Sequence, residues 1–279
     1  MEKILEKLKS QKVKLIISVS IIAILAIIFI IRFAIYQKEG EKNMPYTISK
    51  IIVVSRANKY NKATENTDKA NQENSEEEQV EDSNSENQAE EIENALWNFD
   101  LIQTNDVYIS IEKNDENIKK NEKIKSVSIE NIKIIESPAK GTIKAFMPNS
   151  LDGEKYSYTN DFSINNSLTY RAAGESNFQN LQISEQGGVI GFSLANTELE
   201  KFVSNDEEEI SYNGTLLSKI GITDNDVKSK ISFDIVIELD NGKKYSGNVV
   251  LDINCDGLVE NGSAQQEITE FSNVIFKRI

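Results

Sequence analysis

The 279-residue chain contains no histidine, one cysteine and three prolines. Without histidine, Ser-His-Asp and Cys-His catalysis, His-ligated zinc and His-ligated haem are excluded. The single cysteine, Cys255, excludes an intramolecular disulfide, so the folded part depends on its apolar core. Acidic residues outnumber basic ones: 31 Lys and Arg against 45 Asp and Glu give a formal net charge of -14. This charge argues against a nucleic-acid partner, because phosphate binding requires clustered positive charge.

The sequence has a single long apolar run, and whether this run spans a membrane determines where the rest of the chain is located. Residues 15–31 carry no charge, and their only polar side chains are Ser18 and Ser20. At about 1.5 Å per residue, residues 15–36 reach roughly 33 Å as a helix, enough to cross a hydrocarbon core of about 30 Å. A signal peptide has a shorter apolar region that ends in a small-residue cleavage site, and a core helix has a polar face. The sequence therefore predicts a retained transmembrane helix at 15–36.

The charges that flank this run predict its orientation. Five lysines precede it within residues 1–14, whereas the basic residues after it, Arg32, Lys38 and Lys42, are mixed with glutamates. By the positive-inside rule, the tail 1–14 is cytoplasmic and the C-terminal part is extracytoplasmic. The tail is too short to fold alone and is either an extension of the transmembrane helix or a docking helix for a cytoplasmic partner. The expected location is the cell membrane, with a single pass.

Beyond the span, the composition changes twice. A short polar tether at 37–45 ends at Pro45, and residues 46–57 are rich in β-branched side chains, which predicts the first strand of the exported domain. Residues 58–94 carry twelve acidic residues against three lysines and almost no large apolar side chain, which predicts a disordered acidic segment. A lone strand leaves its backbone groups unpaired. We therefore expect 46–57 to join a sheet formed by 95–279, with the acidic segment as a side loop rather than a stalk.

Residues 95–279 contain several short strand patterns that are separated by Asn, Ser, Gly and Asp clusters. The patterns include a strand at 107–112, a bulged strand at 123–136 and a hairpin at 231–252 with a type I′ turn at Asn241-Gly242. Helical turns are predicted at 196–203 and, after the N-cap Thr223, at 224–228. The fold class is therefore all-β, an antiparallel β-sandwich-like or barrel domain behind one transmembrane helix. Many Ile, Asn, Lys and Glu with few Pro are typical of AT-rich bacterial genomes.

One motif resembles the first half of a calcium loop. The pattern D-x-N-x-D-G begins at Asp252 and places oxygen ligands at alternate positions before a turn-forming glycine. The candidate metal ligands are the side chains of Asp252, Asn254, Asp256 and Glu260. Position twelve is Ser263 instead of a bidentate glutamate, and a strand precedes the motif, so an ordinary Asp-Gly turn between two strands is the alternative. Ca²⁺ is the one cofactor for which the sequence contains a candidate binding motif.

No residue is assigned a catalytic role. Cys255 lacks an evident base and is interpreted as an inert thiol, and residues 169–176 are either a ligand-contacting loop or an ordinary surface loop. Three functions stay open. The first is a non-enzymatic envelope module that binds a cell-wall component, another envelope protein or itself. The second is a carboxylate-dependent, calcium-assisted enzyme that acts on envelope polymers, and the third is a transmembrane sensor. The lack of histidine and of a catalytic motif favours the first.

Overall fold

The computed structural model describes residues 2–60, 95–114, 122–146, 168–172, 183–206 and 215–279. In this part of the chain the structure is mostly antiparallel β-sheet with one long N-terminal helix. The helices are α1 (Glu2–Asn43), α2 (Thr215–Lys219), α3 (Asp224–Val227) and α4 (Leu258–Asn261). The strands are β1 (Tyr46–Tyr60), β2 (Trp97–Lys113), β3 (Ile124–Glu136), β4 (Thr142–Phe146), β5 (Leu168–Arg171), β6 (Ile183–Ser184), β7 (Gly187–Ser204), β8 (Ser229–Leu239), β9 (Lys244–Ile253), β10 (Ser263–Ile268) and β11 (Lys277–Arg278). Most of the predicted acidic segment, residues 61–94, lies outside the described residues.

Helix α1 is continuous from the N-terminal tail through the apolar run. Its stretch Ser18–Lys38 has the length and composition of a membrane span, and none of its apolar window is buried inside the structure. Signal sequences share these properties. Residues 37–43, expected to form a polar tether that could extend, are helical and rise only about 10 Å at about 1.5 Å per residue. The helix ends before Pro45, because the residue that precedes a proline disfavours helical backbone.

The first sheet has the order β10-β1-β2-β7-β4, and β6 also pairs with β7. Strand β1 begins three residues after the end of α1 and pairs antiparallel with β2 over its whole length, from Tyr46↔Lys113 to Tyr60↔Asp100. Its other neighbour is β10. The strand predicted from the β-branched run is therefore an interior strand of this sheet, and it is longer than the sequence indicated.

The second sheet has the order β11-β9-β8-β3-β5 and contains the predicted hairpin as β8 and β9. Alternate residues of β8 from Ile231 to Leu239 are fully buried, as the period-two pattern predicted. The predicted type I′ turn is wrong: of Asn241 and Gly242, only Gly242 has a positive φ, at 79°. The Gly242 N–H donates to the Leu239 carbonyl over 3.0 Å, and the Leu239 N–H donates to the Lys243 carbonyl over 2.8 Å. These bonds form a three-residue loop, with a type I turn followed by a left-handed glycine.

Two further predictions have opposite outcomes. The bulged strand at 123–136 is confirmed as β3, which shifts register against β8 three times and contains Asn131 at a φ of 54°. The helical turns at 196–203 are wrong, because this stretch belongs to β7. There Phe202 pairs with Phe99 of β2, and the two rings stack with centroids 5.3 Å apart. Pairing with a long neighbouring strand outweighs the modest helix propensity of this stretch.

The two sheets contact each other through one apolar core. Phe192 of β7, in the first sheet, meets Phe233 of β8, in the second, edge to face with ring centroids 5.1 Å apart. The Tyr170 hydroxyl of β5 donates a hydrogen bond to the carbonyl of Gly191 on β7, and the Gly191 N–H donates back to that hydroxyl over 3.2 Å. Burial raises the pKa of the Tyr170 phenol. A buried polar contact and an aromatic pair therefore join strands of different sheets.

Candidate functional site

A group of polar side chains occupies one end of the core of the first sheet. We call it the buried polar cluster; its members are Ser55 on β1, Gln103 and Asn105 on β2, Asn196 on β7, and Cys255 after β9. On β2, Gln103 and Asn105 continue the alternation of the fully buried Val107 and Ile109, so they point into the core. Polar groups in such positions are costly unless they are hydrogen-bonded.

The members of the cluster bond mainly to each other. The Gln103 amide donates to Cys255 Sγ over 2.9 Å and to Asn105 Oδ1 over 3.0 Å, and the Ser55 hydroxyl donates to the same Asn105 oxygen over 2.6 Å. Asn196 Nδ2 donates to Gln103 Oε1 over 3.2 Å. Asn105 Nδ2 and Asn196 Oδ1 have no hydrogen-bond partner among the described residues. The network thus joins three strands with a loop, and it is not fully satisfied by the protein.

The opposite face of the same sheet carries a charged contact. Arg56 Nη1 lies 2.6 Å from Asp106 Oδ2, and the Ser193 hydroxyl donates to Asp106 Oδ1 over 2.5 Å. The Asp106 side chain is 6% exposed, whereas that of Arg56 is 43% exposed. The arginine therefore covers a carboxylate that is almost fully removed from water.

The thiol of Cys255 is buried, and its surroundings raise its pKa. It is 3% exposed, and burial raises its pKa to about 11 from 9.0, although hydrogen bonds from Ser55 and Gln103 oppose that shift. At neutral pH the thiol is protonated, and a thiol is a far weaker nucleophile than a thiolate. A cavity of about 90 Å³ beside it is lined by Ser55, Asn254, Asp256 and residues 264–266. The surroundings of Cys255 favour a packing role over nucleophilic chemistry.

The four candidate calcium ligands lie on different elements. Asp252 is on β9, 62% exposed, with its carboxylate 2.9 Å from Lys230 Nζ; Glu260 is in α4. Asn254 and Asp256 lie between these elements, and the Asn254 N–H donates to Gln266 Oε1 over 3.2 Å. Among the described residues, no group of three or more His, Cys, Asp or Glu side chains could hold a metal ion. The calcium loop stays a prediction.

The conformation of this loop has a structural explanation in helix α3. The Asp224 carboxylate accepts hydrogen bonds from the backbone N–H groups of Gly257, over 2.7 Å, and Val259, over 2.9 Å. Helix α3 itself begins as predicted after Thr223, whose backbone N–H and hydroxyl donate to the Asp226 carboxylate over 2.8 and 2.7 Å. These bonds lower the pKa of Asp226. The Asp-Gly turn is visible in the sequence, but its contact with Asp224 is not, because Asp224 lies 33 residues before Gly257.

The loop considered at 169–176 is described only up to residue 172. Thr169 belongs to β5, and its hydroxyl lies 2.9 Å from that of Ser128 on β3. The Ala172 N–H donates to the Lys125 carbonyl over 3.1 Å. Residues 173–176 lie outside the described residues. The described half of this stretch is therefore a paired strand with Arg171 exposed.

A second cavity, of about 310 Å³, lies where α1 passes into β1. It is lined by Met44, Tyr46, Ile48 and several residues of the segment 271–276. The Tyr46 hydroxyl donates to the carbonyls of Glu122, over 3.1 Å, and Glu185, over 2.8 Å. Desolvation by burial raises the pKa of Tyr46. The start of β1 is thus fixed by bonds to two distant parts of the chain.

The C-terminal residues contact α1 near the end of its apolar run. The Tyr36 hydroxyl donates to the Ile279 carbonyl over 3.2 Å, and the Arg278 guanidinium lies 4.3 Å from the centroid of the Tyr36 ring. A cation over an aromatic face is attracted by the ring quadrupole. No local pattern in the sequence predicts this contact, because its partners lie 243 residues apart.

The described structure thus offers a buried thiol in a polar core, a loop fixed by Asp224, and a junction between α1 and the C-terminal residues. All three features bring together residues that are remote in the sequence. In comparisons with known proteins, no family model, no curated protein and no solved structure matches this chain.

Proposed function

We propose that this chain is a single-pass membrane protein of the cell envelope whose extracytoplasmic β-sandwich is a non-enzymatic binding or structural module. The observation that carries the proposal is the exposure of α1. None of the apolar window in Ser18–Lys38 is buried, whereas the C-terminal end of the helix passes directly into an interior strand of a sheet. An apolar helix that no other described residue buries is stable in an apolar solvent, and a lipid bilayer supplies one.

The orientation follows from the lysines of the N-terminal tail. Five lysines precede the apolar run, whereas the basic residues after it are mixed with glutamates. This bias favours a cytoplasmic tail and an extracytoplasmic β domain. The cation–aromatic contact between Arg278 and Tyr36 supports a fixed domain position at the outer end of the span.

The sandwich arrangement is supported by the contacts between sheets. Phe192 and Phe233 come from different sheets and pack edge to face, and Tyr170 bonds to Gly191 across the same core. Antiparallel sheets that share one apolar core are typical of sandwiches.

A binding or structural role accords with the chemistry of the described residues. The thiol of Cys255 is buried and protonated at neutral pH, and the chain has no histidine to act as a general base. The expected partners are a cell-wall component or another envelope protein. Cross-linking in intact cells, with the full chain in its membrane, tests for such a partner.

Topology is tested with single cysteines in the full chain. Ser10→Cys places a thiol in the tail and Val203→Cys places one on the β domain, where Val203 is 40% exposed. In spheroplasts, a membrane-impermeant maleimide is expected to label Val203→Cys at once and Ser10→Cys only after lysis. The unsubstituted chain, whose only thiol is the buried Cys255, gives the background.

Two results contradict the proposal. If alkaline carbonate extracts the protein from membranes, α1 is not an integral span. If mass spectrometry of the mature protein shows that its N-terminus lies beyond residue 31, the apolar run is a cleaved signal sequence.

A further inference from the structure

The C-terminal segment, residues 271–279, runs alongside α1 from the C-terminal end of the helix back to Tyr36. Its first part lines the cavity that contains Met44, at the end of the helix, and its last residue bonds to Tyr36. Tyr36 and Met44 are separated by eight residues, or about 12 Å along a helix axis. Ile279 therefore lies at the level of the outer end of the apolar run.

The exposure of this segment alternates. Ile275 is 52% exposed, Phe276 is 7% exposed, Lys277 is exposed and Ile279 is 57% exposed. The Phe276 ring packs against the backbone of Gly247 on β9, where an added Cβ would lie 3.0 Å from the ring. This contact holds Phe276 inward, so Lys277 and Ile279 alternate with it on the outer side of the segment, and Ile275 lies half exposed at the rim of the cavity around Met44.

The sign of the charge also changes at this end of the molecule. The chain as a whole has a net charge of -14. After the apolar run, α1 carries Arg32, Lys38 and Lys42 interspersed with Glu39 and Glu41. Lys277 and Arg278 of the C-terminal segment add two basic residues, so basic residues outnumber acidic ones here five to two. A basic rim with exposed isoleucines fits an anionic lipid surface.

We propose that Ile275, Lys277 and Ile279 form a membrane-docking surface for anionic lipid headgroups. The two isoleucine side chains enter the interfacial layer of the bilayer, and the Lys277 ammonium binds headgroup phosphates. The inference rests on the proposed anchoring by α1 and deepens it. The helix holds the chain in the membrane, and the docking surface sets the distance and orientation of the β domain.

The test uses the full chain reconstituted in vesicles of phosphatidylcholine, with or without phosphatidylglycerol. A nitroxide label on Ile275→Cys reports its environment through the ratio of its accessibility to oxygen and to a water-soluble nickel chelate. We expect a lipid-like ratio in the anionic vesicles. Val203→Cys is the matched control, because Val203 is also an exposed apolar residue but lies at the end of β7 that pairs with the start of β2. Its label is expected to stay aqueous in both vesicles.

The contribution of charge is tested with Lys277→Gln. A lysine near an anionic surface contributes about 1 kcal/mol, so we expect the ratio of lipid-exposed to aqueous label at position 275 to fall about fivefold in anionic vesicles. Lys201→Gln, which removes an exposed lysine of β7, is the control and is expected to leave the ratio unchanged. A label on Ile275→Cys that is equally lipid-exposed without phosphatidylglycerol overturns the headgroup role of Lys277.

A label on Ile24→Cys separates the two levels of the proposal. If that label is aqueous, α1 does not span the bilayer, and the proposed function fails together with the docking surface. If it is lipid-exposed while the labels on Ile275→Cys and Ile279→Cys are aqueous in both vesicles, the anchor stands and the docking surface is refuted.

Discussion

The contact between Phe192 and Phe233 gives a quantitative test of the proposed sandwich. Both rings are almost fully buried, at 1% and 0% exposure, and their centroids are 5.1 Å apart. We expect each single Phe→Leu substitution to lower the free energy of unfolding by about 1–3 kcal/mol, because it leaves part of a packed site empty. An edge-to-face aromatic pair adds about 0.5–1.5 kcal/mol beyond area burial. The double substitution is therefore expected to cost about 1 kcal/mol less than the sum of the two singles.

The measurement is denaturant unfolding of the full chain in detergent, followed by the fluorescence of Trp97, the only tryptophan. The matched control combines Phe192→Leu with Phe202→Leu. These residues are ten positions apart on β7, about 33 Å along an extended strand, so their effects are expected to add within about 0.5 kcal/mol. Additivity of the Phe192 and Phe233 substitutions within the same margin would show that the two sheets do not share this contact, and the reasoning would be refuted.

Three further predictions concern the core and the candidate loop. Burial raises the pKa of Cys255 to about 11 from 9.0, so the unfolded state loses its thiol proton first as the pH rises. The free energy of unfolding that is present below pH 9 is therefore expected to fall by roughly 3 kcal/mol towards pH 11. Urea unfolding should show a smaller fall in Cys255→Ala. Arg56→Gln leaves the buried Asp106 carboxylate without its ion pair and is expected to lower the free energy of unfolding by about 1–3 kcal/mol. Lys50→Gln, which breaks an exposed pair, should lower it by under about 1 kcal/mol, and equal decreases would contradict the greater importance of the Arg56 pair. Millimolar calcium is expected to leave Tm unchanged, and a rise in Tm that Asp256→Asn abolishes would instead establish the calcium loop.

The parts of the fold that the sequence predicted are those specified by local patterns. The alternation of β8 and the phase slips of β3 are properties of single strands, and both are found in the structure. The prediction of a type I′ turn was wrong because Asn-Gly is compatible with both two-residue and three-residue hairpin loops. The hydrogen bond between Leu239 and Lys243, which fixes the loop length, is not visible in the sequence.

The buried polar cluster could not be predicted, because its partners are remote in sequence. Residues 100–106 interrupt the apolar pattern with several polar residues, among them Asn and Asp, which are depleted in strands, yet the structure continues β2 through them. Ser55 lies 50 residues from Asn105, and Cys255 lies 152 residues from Gln103. Cys255 was interpreted as an inert thiol, which stays a prediction, and its place within a polar network required the strand order of the first sheet. The candidate calcium ligands stay a prediction from spacing alone.

The pairing of β1 with β2 also decides where the acidic segment begins and ends. Tyr46 lies next to the helix, whereas Tyr60, paired with Asp100, lies fourteen residues along the strand, about 46 Å away when extended. Tyr60 and Ala95, the described residues on either side of 61–94, therefore both lie at the end of the first sheet that is remote from α1. These flanking residues and the junction of α1 with the C-terminal residues are therefore separated by the length of the sheet.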